Sequence, residues 1–543
     1  MENTKSQQLY QALWNSADIL RSKMDASQYK NYLLGLIFYK YLSDRLLYFA
    51  SQELETPTDD IQQAQKNYET AYNDPDLHAL LIENLKDEFA YIIEPQLTFT
   101  TLINSINDNS FQLETLAQGF RNIEQSNPYW NDLFSDIDLY SRSLGPTPQK
   151  QSDVIQSVMK TLATMNLTGA QAADVLGDAY EYLIGQFASD SGKKAGEFYT
   201  PQPVARLMTQ IAIHGKEDVQ GLTVYDPTMG SGSLLLNARR YSHQVANIRY
   251  FGQELNTSTY NLAKMNMILH GVSIGNQNLH NADTLDQDWP TDEPTNFDMV
   301  LMNPPYSAHW SADKGFKDDP RYSAYGVLAP KSKADFAFLL HGYYHLKNTG
   351  TMAIVLPHGV LFRGNAEGKI RKSLLENGAI DAVIGLPPNI FYNTSIPTTI
   401  IILKKARTSR DVFFIDASRE FEKGKNQNIL TTENIKKITE TYYARKDIDK
   451  YAHLASFDEI QDNEFNLNIP RYVDTFEPEP EVPLDQLAQK ISNTNAEIAE
   501  NEKQLMAMLE QLRGQTPEAQ KELNSFLSIL KEPNNISKEV SKR

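Results

Sequence analysis

A chain of 543 residues is too long for one hydrophobic core, so two or three domains are expected, and 41% apolar with 22% charged residues excludes a disordered or fibrous class. The absence of cysteine excludes disulfides, thiolate catalysis and cysteine-ligated zinc, and fits a reducing cytoplasm. With 51 basic against 69 acidic residues, the net charge of −18 argues against a chain that grips DNA unaided, because phosphate neutralisation supplies most non-specific affinity; a local basic groove or a partner subunit could supply the missing charge.

Residues 1–170 carry helical periodicity, as in Tyr32, Leu33, Leu36, Ile37, Tyr41 and Leu42, and are expected to form an all-α domain. The apolar run at Tyr32–Tyr39 is closed by Lys40, Asp44 and Arg45. It is too short and too charged to cross a bilayer, so it predicts a buried helix and no membrane association. Residues 171–474 alternate between strand-like and helical texture. Strands are expected at Leu222–Tyr225, Ile248–Phe251, Phe297–Met302, Met352–Leu356, Ile380–Ile384, Thr398–Leu403 and Val412–Ile415. This alternation implies βαβ units and a mostly parallel sheet covered on both faces. Residues 475–543 open with the Pro/Glu-rich linker Thr475–Pro483. A heptad column of Leu484, Ile491, Ile498, Leu505 and Leu512 follows, beside the interrupted column Leu487, Thr494, Asn501 and Met508, and predicts a helical, coiled-coil-like arm for assembly.

The chemistry is concentrated in the middle region. Asp226-Pro227-Thr228-Met229-Gly230-Ser231-Gly232-Ser233 runs from a strand into a helical segment. Gly230 and Gly232 let the backbone turn sharply and approach a ligand, and the amides of the new helix favour an anionic group such as an amino acid carboxylate. Asp226, Thr228 and Ser231–Ser233 are the side chains such a loop offers. A dinucleotide site would want Gly or Ala where Leu235 stands, which disfavours an oxidoreductase. Glu254 closes the next strand, where an acid accepts hydrogen bonds from ribose hydroxyls. Asp283, after a further short segment, can accept from the amino group of an adenine ring.

The strongest signal is Asn303-Pro304-Pro305-Tyr306, directly after the buried strand Phe297–Met302. Two prolines stiffen the turn and remove two backbone donors. The Asn303 side chain and the Pro304 carbonyl can then act as paired acceptors for an exocyclic amino group, aligning its nitrogen for attack on a sulfonium methyl. Tyr306 offers a face on which a base can stack.

With Gly196-Glu197-Phe198-Tyr199-Thr200-Pro201, these motifs resemble the adenine-N6 amino-methyltransferases, and more narrowly the modification subunits of type I restriction-modification systems. Leu356–Arg363, Phe391–Thr398 and Asn466–Val473 extend the resemblance over most of the chain. It implies an α/β fold: a Rossmann-like class I S-adenosylmethionine-dependent methyltransferase sheet, with an all-α N-terminal domain and a helical C-terminal tail. It implies that Glu197, Phe198, Tyr199, Thr200, Pro201, Gln202, Ser231, Gly232, Ser233 and Glu254 line the S-adenosylmethionine site, and that Asn303, Pro304, Pro305 and Tyr306 act on a flipped adenine in double-stranded DNA. Phe391 is the candidate second face of the base clamp. No metal is required. The implied partners are a DNA specificity subunit carrying two copies of this chain and a restriction endonuclease-translocase subunit.

Two other readings are compatible with the turn. It suits a glutamine side-chain amide as well as adenine, and the fold could serve as a non-catalytic scaffold. Ser307–Lys333 reads either as a mobile cover or as an ordered excursion. His341 and His345, one helical turn apart, read as helix packing rather than as zinc ligands.

Overall fold

The computed structural model describes residues 13–165, 172–190, 200–391, 395–424, 427–475 and 483–531. The chain divides into two compact units, Met1–Thr475 and Phe476–Arg543.

The first unit opens with a helical layer: α1 (Ala26–Glu53), α2 (Ile61–Asn73), α3 (His78–Phe89), α4 (Phe99–Asn107), α5 (Leu113–Glu124), α6 (Pro148–Ala163) and α7 (Ala172–Asp190). The middle of α1 is apolar on every side and is buried from Leu33 to Leu42, the signature of a core helix. The others start on side-chain caps where the sequence supplies them. Asp60 accepts from the amide of Gln62, Thr98 from that of Thr101, and Thr147 from that of Lys150 behind a first-turn proline. Leu176, Tyr180, Leu183 and Phe187 of α7 belong to the same core as α1.

A nine-stranded sheet follows, built from β1 (Thr223–Asp226), β2 (Arg249–Glu254), β3 (Gln277–Asn281), β4 (Phe297–Met302), β5 (Leu346–Pro357), β6 (Ile380–Gly385), β7 (Thr398–Leu403) and β8 (Val412–Asp416). Strands β9 (Glu422–Lys423) and β10 (Asn428–Ile429) make a separate hairpin, and β11 (Ala452–Ala455) closes one edge of the large sheet. The order is β3-β2-β1-β4-β5-β7-β6-β8-β11. Pairings from β3 through β5 are parallel, and β7 runs antiparallel between β5 and β6. This reversed strand separates the sheet from the dinucleotide-binding order 3-2-1-4-5-6. Successive side chains serve opposite cores. Val224, Leu301, Val355 and Ile402 face one side, while Tyr225, Val300, Ile354 and Ile401 face the other, so the strands read as near-continuous apolar runs.

Helices α8 (Gln202–Ile213), α9 (Thr257–Leu269), α10 (Asp335–Tyr344), α11 (Asn365–Glu376) and α12 (Thr432–Ala444) cover the sheet. Helix α9 serves two cores at once. Leu262, Met265, Ile268 and Leu269 pack into the helical layer, and Ala263 and Met267 into the sheet. Polar groups fasten it further: Asn261 donates to the carbonyl of Asp132 at 2.7 Å, and the buried Lys264 ammonium lies 4.6 Å from the Tyr129 ring centre.

In the second unit, α13 (Leu484–Leu509) and α14 (Pro517–Lys531) bury none of their described residues. Ile491, Ile498 and Leu505 of the heptad column are 54%, 49% and 54% exposed, a continuous apolar stripe. No helix among the described residues is long and apolar enough to cross a membrane.

Candidate active site

The strand order reverses between β1 and β4, where open α/β sheets bind ligands beyond the carboxyl ends of their strands. The predicted motifs converge there. Asp226 ends β1, Glu254 ends β2, Asn281 ends β3 two residues before Asp283, and Asn303 follows β4. Glu197, Phe198 and Tyr199 lie outside the described residues; Thr200, Pro201 and Gln202 lead into α8.

The glycine loop is built as its sequence demands. Gly230 and Gly232 have φ of 53° and 77°, a region that penalises side chains. The amide of Met229 donates to the carbonyl of Gln253 on β2, and that of Gly232 to Met229. Gly252 makes room: a Cβ there would lie 2.4 Å from the Met229 sulfur. Thr228 donates both its amide and its hydroxyl to Asp226. Burial nonetheless dominates at this aspartate, and with the nearby Glu254 it pushes the Asp226 carboxyl up to about 7. Glu254 accepts from the amides of Gly230 at 3.1 Å and Asn256 at 2.8 Å, tying the β2 acid to the loop. The Ser231 and Ser233 hydroxyls lie 3.0 Å apart, and Asn266 of α9 donates to the Ser231 carbonyl. Asp283 is exposed and caps the amide of Leu285.

A buried polar chain, not evident from sequence, joins this loop to the helical layer. Gln202 donates to Glu181 of α7 at 2.8 Å and accepts from Asn237, which also donates to the Ser233 carbonyl. Burial raises the pKa of Glu181.

At the end of β4, Asn303 is 6% exposed and its carboxamide is held from both ends. Its nitrogen donates to the Thr200 hydroxyl at 3.1 Å, and its oxygen accepts from the Tyr306 hydroxyl at 2.9 Å. Thr200 thereby links the threonine-proline segment to the Asn303–Tyr306 turn. Burial, reinforced by Asp335, keeps Tyr306 protonated. Phe391 comes from the loop after β6 and meets Tyr306 edge to face, centroids 6.0 Å apart at 83°. The two aromatics are therefore neighbours, in a T-shaped pair rather than as parallel walls.

Sequence reasoning missed the groups that brace this turn. Ser307 donates its amide to Asp335 at 2.8 Å, and Arg363 bonds the other oxygen of that carboxylate, also at 2.8 Å. Nothing in the run around Asp335 distinguishes it from a helix-starting acid. The stretch Ser307–Lys333 is an ordered excursion, with Trp310 stacked on Phe316 and Arg321 buried.

Among the described residues, two groups of side chains of metal-ligating type gather their ligand atoms within 4.8 Å, Asp288 with His341 and His345, and Asp178 with Glu181 and His270. Each already contains a guanidinium. Arg321 Nη1 lies 3.1 Å from His341, whose other nitrogen meets the Tyr225 hydroxyl at 2.7 Å, and Arg240 bonds Asp178 at 2.7 Å. Burial, His345 and Arg321 together hold His341 neutral.

The sequence profile of the family described as N-6 DNA Methylase matches residues 171–481, and that described as the HsdM N-terminal domain matches residues 9–162. The chain belongs to the N-6 DNA methylase family. Among its relatives, the type I restriction enzyme MpnII methylase subunit of Mycoplasma pneumoniae is 35% identical, over 94% of this chain and 97% of its own. The MjaIX methylase subunit of Methanocaldococcus jannaschii is 29% identical, over 91% and 88%. The crystal structure of a type I restriction-modification methyltransferase subunit from Streptococcus thermophilus shares 70% identity, covers 87% of this chain and 100% of its own, and superposes with a TM-score of 0.85. This N-6 DNA methylase is accordingly of the type I methylase-subunit branch, with the mixed α/β sheet and helical N-terminal layer expected from its sequence.

Proposed function

We propose that the chain transfers a methyl group from S-adenosylmethionine to N6 of an adenine flipped out of double-stranded DNA, as the modification subunit of a type I restriction-modification complex. The observation that carries this reading is the doubly held Asn303 carboxamide at the switch point, one turn from an aromatic face. The surroundings fit an adenosyl amino acid. Two positive-φ glycines leave the loop backbone open to close approach, Glu254 offers a carboxylate where ribose hydroxyls would lie, and Asp283 stands beyond it. Ser231, Gly232, Ser233 and Thr200–Gln202 would hold the amino acid end, with Asp226, Thr228 and Gly230 shaping the loop. Bound there, the cofactor supplies an electrophilic methyl group.

The chain's own residues do the rest. Thr200 and Tyr306 fix the Asn303 amide, so its oxygen and the Pro304 carbonyl present acceptors to an exocyclic amino group. Pro305 stiffens the turn. Tyr306 carries the base on its face, and Phe391 turns from edge contact to close the clamp. A base inside the duplex cannot reach these groups, so flipping is required. The net charge of −18 favours a separate DNA-reading specificity subunit, and the exposed heptad stripe of α13 supplies a surface for assembly with it. An endonuclease-translocase would complete the complex for restriction.

The test is methyl transfer to DNA by the chain with its specificity subunit, and N6-methyladenine sequencing of cells carrying wild type or Asn303→Ala. Methylation at one motif that disappears in the variant is expected. Identical methylation in both overturns Asn303's role. Methyl transfer to protein glutamine instead of DNA overturns the substrate.

A further inference from the structure

We infer that Asp335 is a positioning residue for the catalytic turn, clamping the backbone immediately beyond Asn303–Tyr306, and that Arg363 holds Asp335 in place. The inference rests on the adenine-methylation reading of that turn.

The turn cannot secure itself. Pro304 and Pro305 have no amide hydrogen, so the donors nearest Asn303 on its C-terminal side are those of Tyr306 and Ser307. Ser307 has φ of 53°, a left-handed conformation unusual for a residue with a side chain, and such conformations persist only where the surroundings impose them. Asp335 imposes it. Its carboxylate is fully buried at the start of α10 and takes the Ser307 amide at 2.8 Å. The next residues continue the grip, the amide of Ala334 donating to the carbonyl of Ala308 at 2.9 Å.

A buried carboxylate needs a partner charge. Arg363 supplies it at 2.8 Å and is itself steadied by Glu367 of α11 at 3.2 Å. Arg363 closes the Leu356–Arg363 stretch, which belongs to the family resemblance and to which the sequence assigns no role. The relay from Glu367 through Arg363 and Asp335 to Ser307 gives it one. Thr200 holds the Asn303 side chain, and the relay holds the backbone at Ser307, directly after Tyr306.

The experiment uses the complex of this chain with its specificity subunit. Single-turnover methyl transfer to duplex DNA, S-adenosylmethionine affinity by calorimetry, and amide exchange of the peptide spanning 303–308 are compared among variants. Because two prolines in that peptide carry no amide, its exchange reports on Tyr306, Ser307 and Ala308. Asp335→Ala is expected to slow transfer by ~100-fold with cofactor affinity changed less than about threefold, since a small misplacement of the reacting groups costs that much. Asp335→Asn keeps an acceptor for the Ser307 amide and should recover at least about tenfold of the loss. Ser307→Gly, at ease at positive φ, should partly rescue Asp335→Ala, as no purely structural role for Asp335 predicts. Exchange at 303–308 should accelerate in Asp335→Ala and remain slow in Asp335→Asn.

Unchanged transfer in Asp335→Ala, or cofactor affinity falling in step with the rate, overturns the inference. If Asp335→Ala does not fold, Asp335→Asn against Asp335→Asn with Ser307→Gly carries the same comparison. Absence of any transfer to DNA by wild type overturns the adenine reading alone. Exchange at 303–308 then still decides the clamp, and indifference to Asp335 sinks it.

Discussion

Asp226 ends β1 under the glycine loop, and burial raises its carboxyl to about 7 despite two hydrogen bonds from Thr228. The folded protein therefore holds this proton more tightly than the unfolded chain, whose carboxyl titrates near 3.8. The associated stability is fully present below pH 4 and is lost as pH rises through 7, by up to roughly 4 kcal/mol in the limit. Asp226→Asn keeps an acceptor for the Thr228 amide and removes the titration. Its melting temperature is expected to fall less than that of wild type between pH 5 and pH 8, by scanning fluorimetry in matched buffers. A parallel decline in both proteins would show that Asp226 is ionised throughout. This behaviour was not readable from sequence: Asp226 announced itself as a loop acid, but its charge state depends on how completely the sheet and loop enclose it.

At the scale of elements, the glycine loop and β2 form a joint with no spare volume. Gly252→Ala would drive a methyl group to 2.4 Å from the Met229 sulfur and displace the loop that carries Gly230 and Ser231. The expected result is cofactor affinity reduced by ~10-fold or more, with a stability loss of about 1–3 kcal/mol, as overpacking costs in a dense core. Calorimetric titration checks the first, and wild-type affinity in the variant would mean the loop accommodates the methyl group. The sequence exposed the loop, the β2 acid and the proline turn because each is local chemistry at a strand end. Phe297–Met302 and Thr398–Leu403 emerge with the predicted bounds, since strands buried on both faces are mostly apolar. Gln277–Asn281 and Ala452–Ala455 were missed, one polar at a sheet edge, the other only four residues long. Asp335, Arg363 and Glu181 were invisible for another reason. Their importance arises from contacts across 28, 56 and 21 residues of chain, to Ser307, to that same residue through Asp335, and to Gln202, which no local pattern encodes.

For the whole molecule, the two units divide the work. The unit Met1–Thr475 contains every described residue proposed for the site, whereas α13 and α14 bury nothing of their own. Replacing Ile491, Ile498 and Leu505 together by aspartate should leave the melting temperature and cofactor affinity of the isolated chain within error, because these side chains are already solvated. The same variant should fail to co-purify with the specificity subunit, and retained assembly would move the contact elsewhere. Within the first unit, α9 has a different consequence. One helix completes the core around Trp130 and also backs the glycine loop through Ala263 and Met267, so neither layer can melt while the other keeps its packing. The passage from the helical layer, which extends through α7, to the sheet is thus a change of architecture and not a seam of cooperativity. Residues 1–475 should unfold in a single endotherm, and a ligand that tightens the loop should raise the midpoint of the helical layer and the sheet by the same amount.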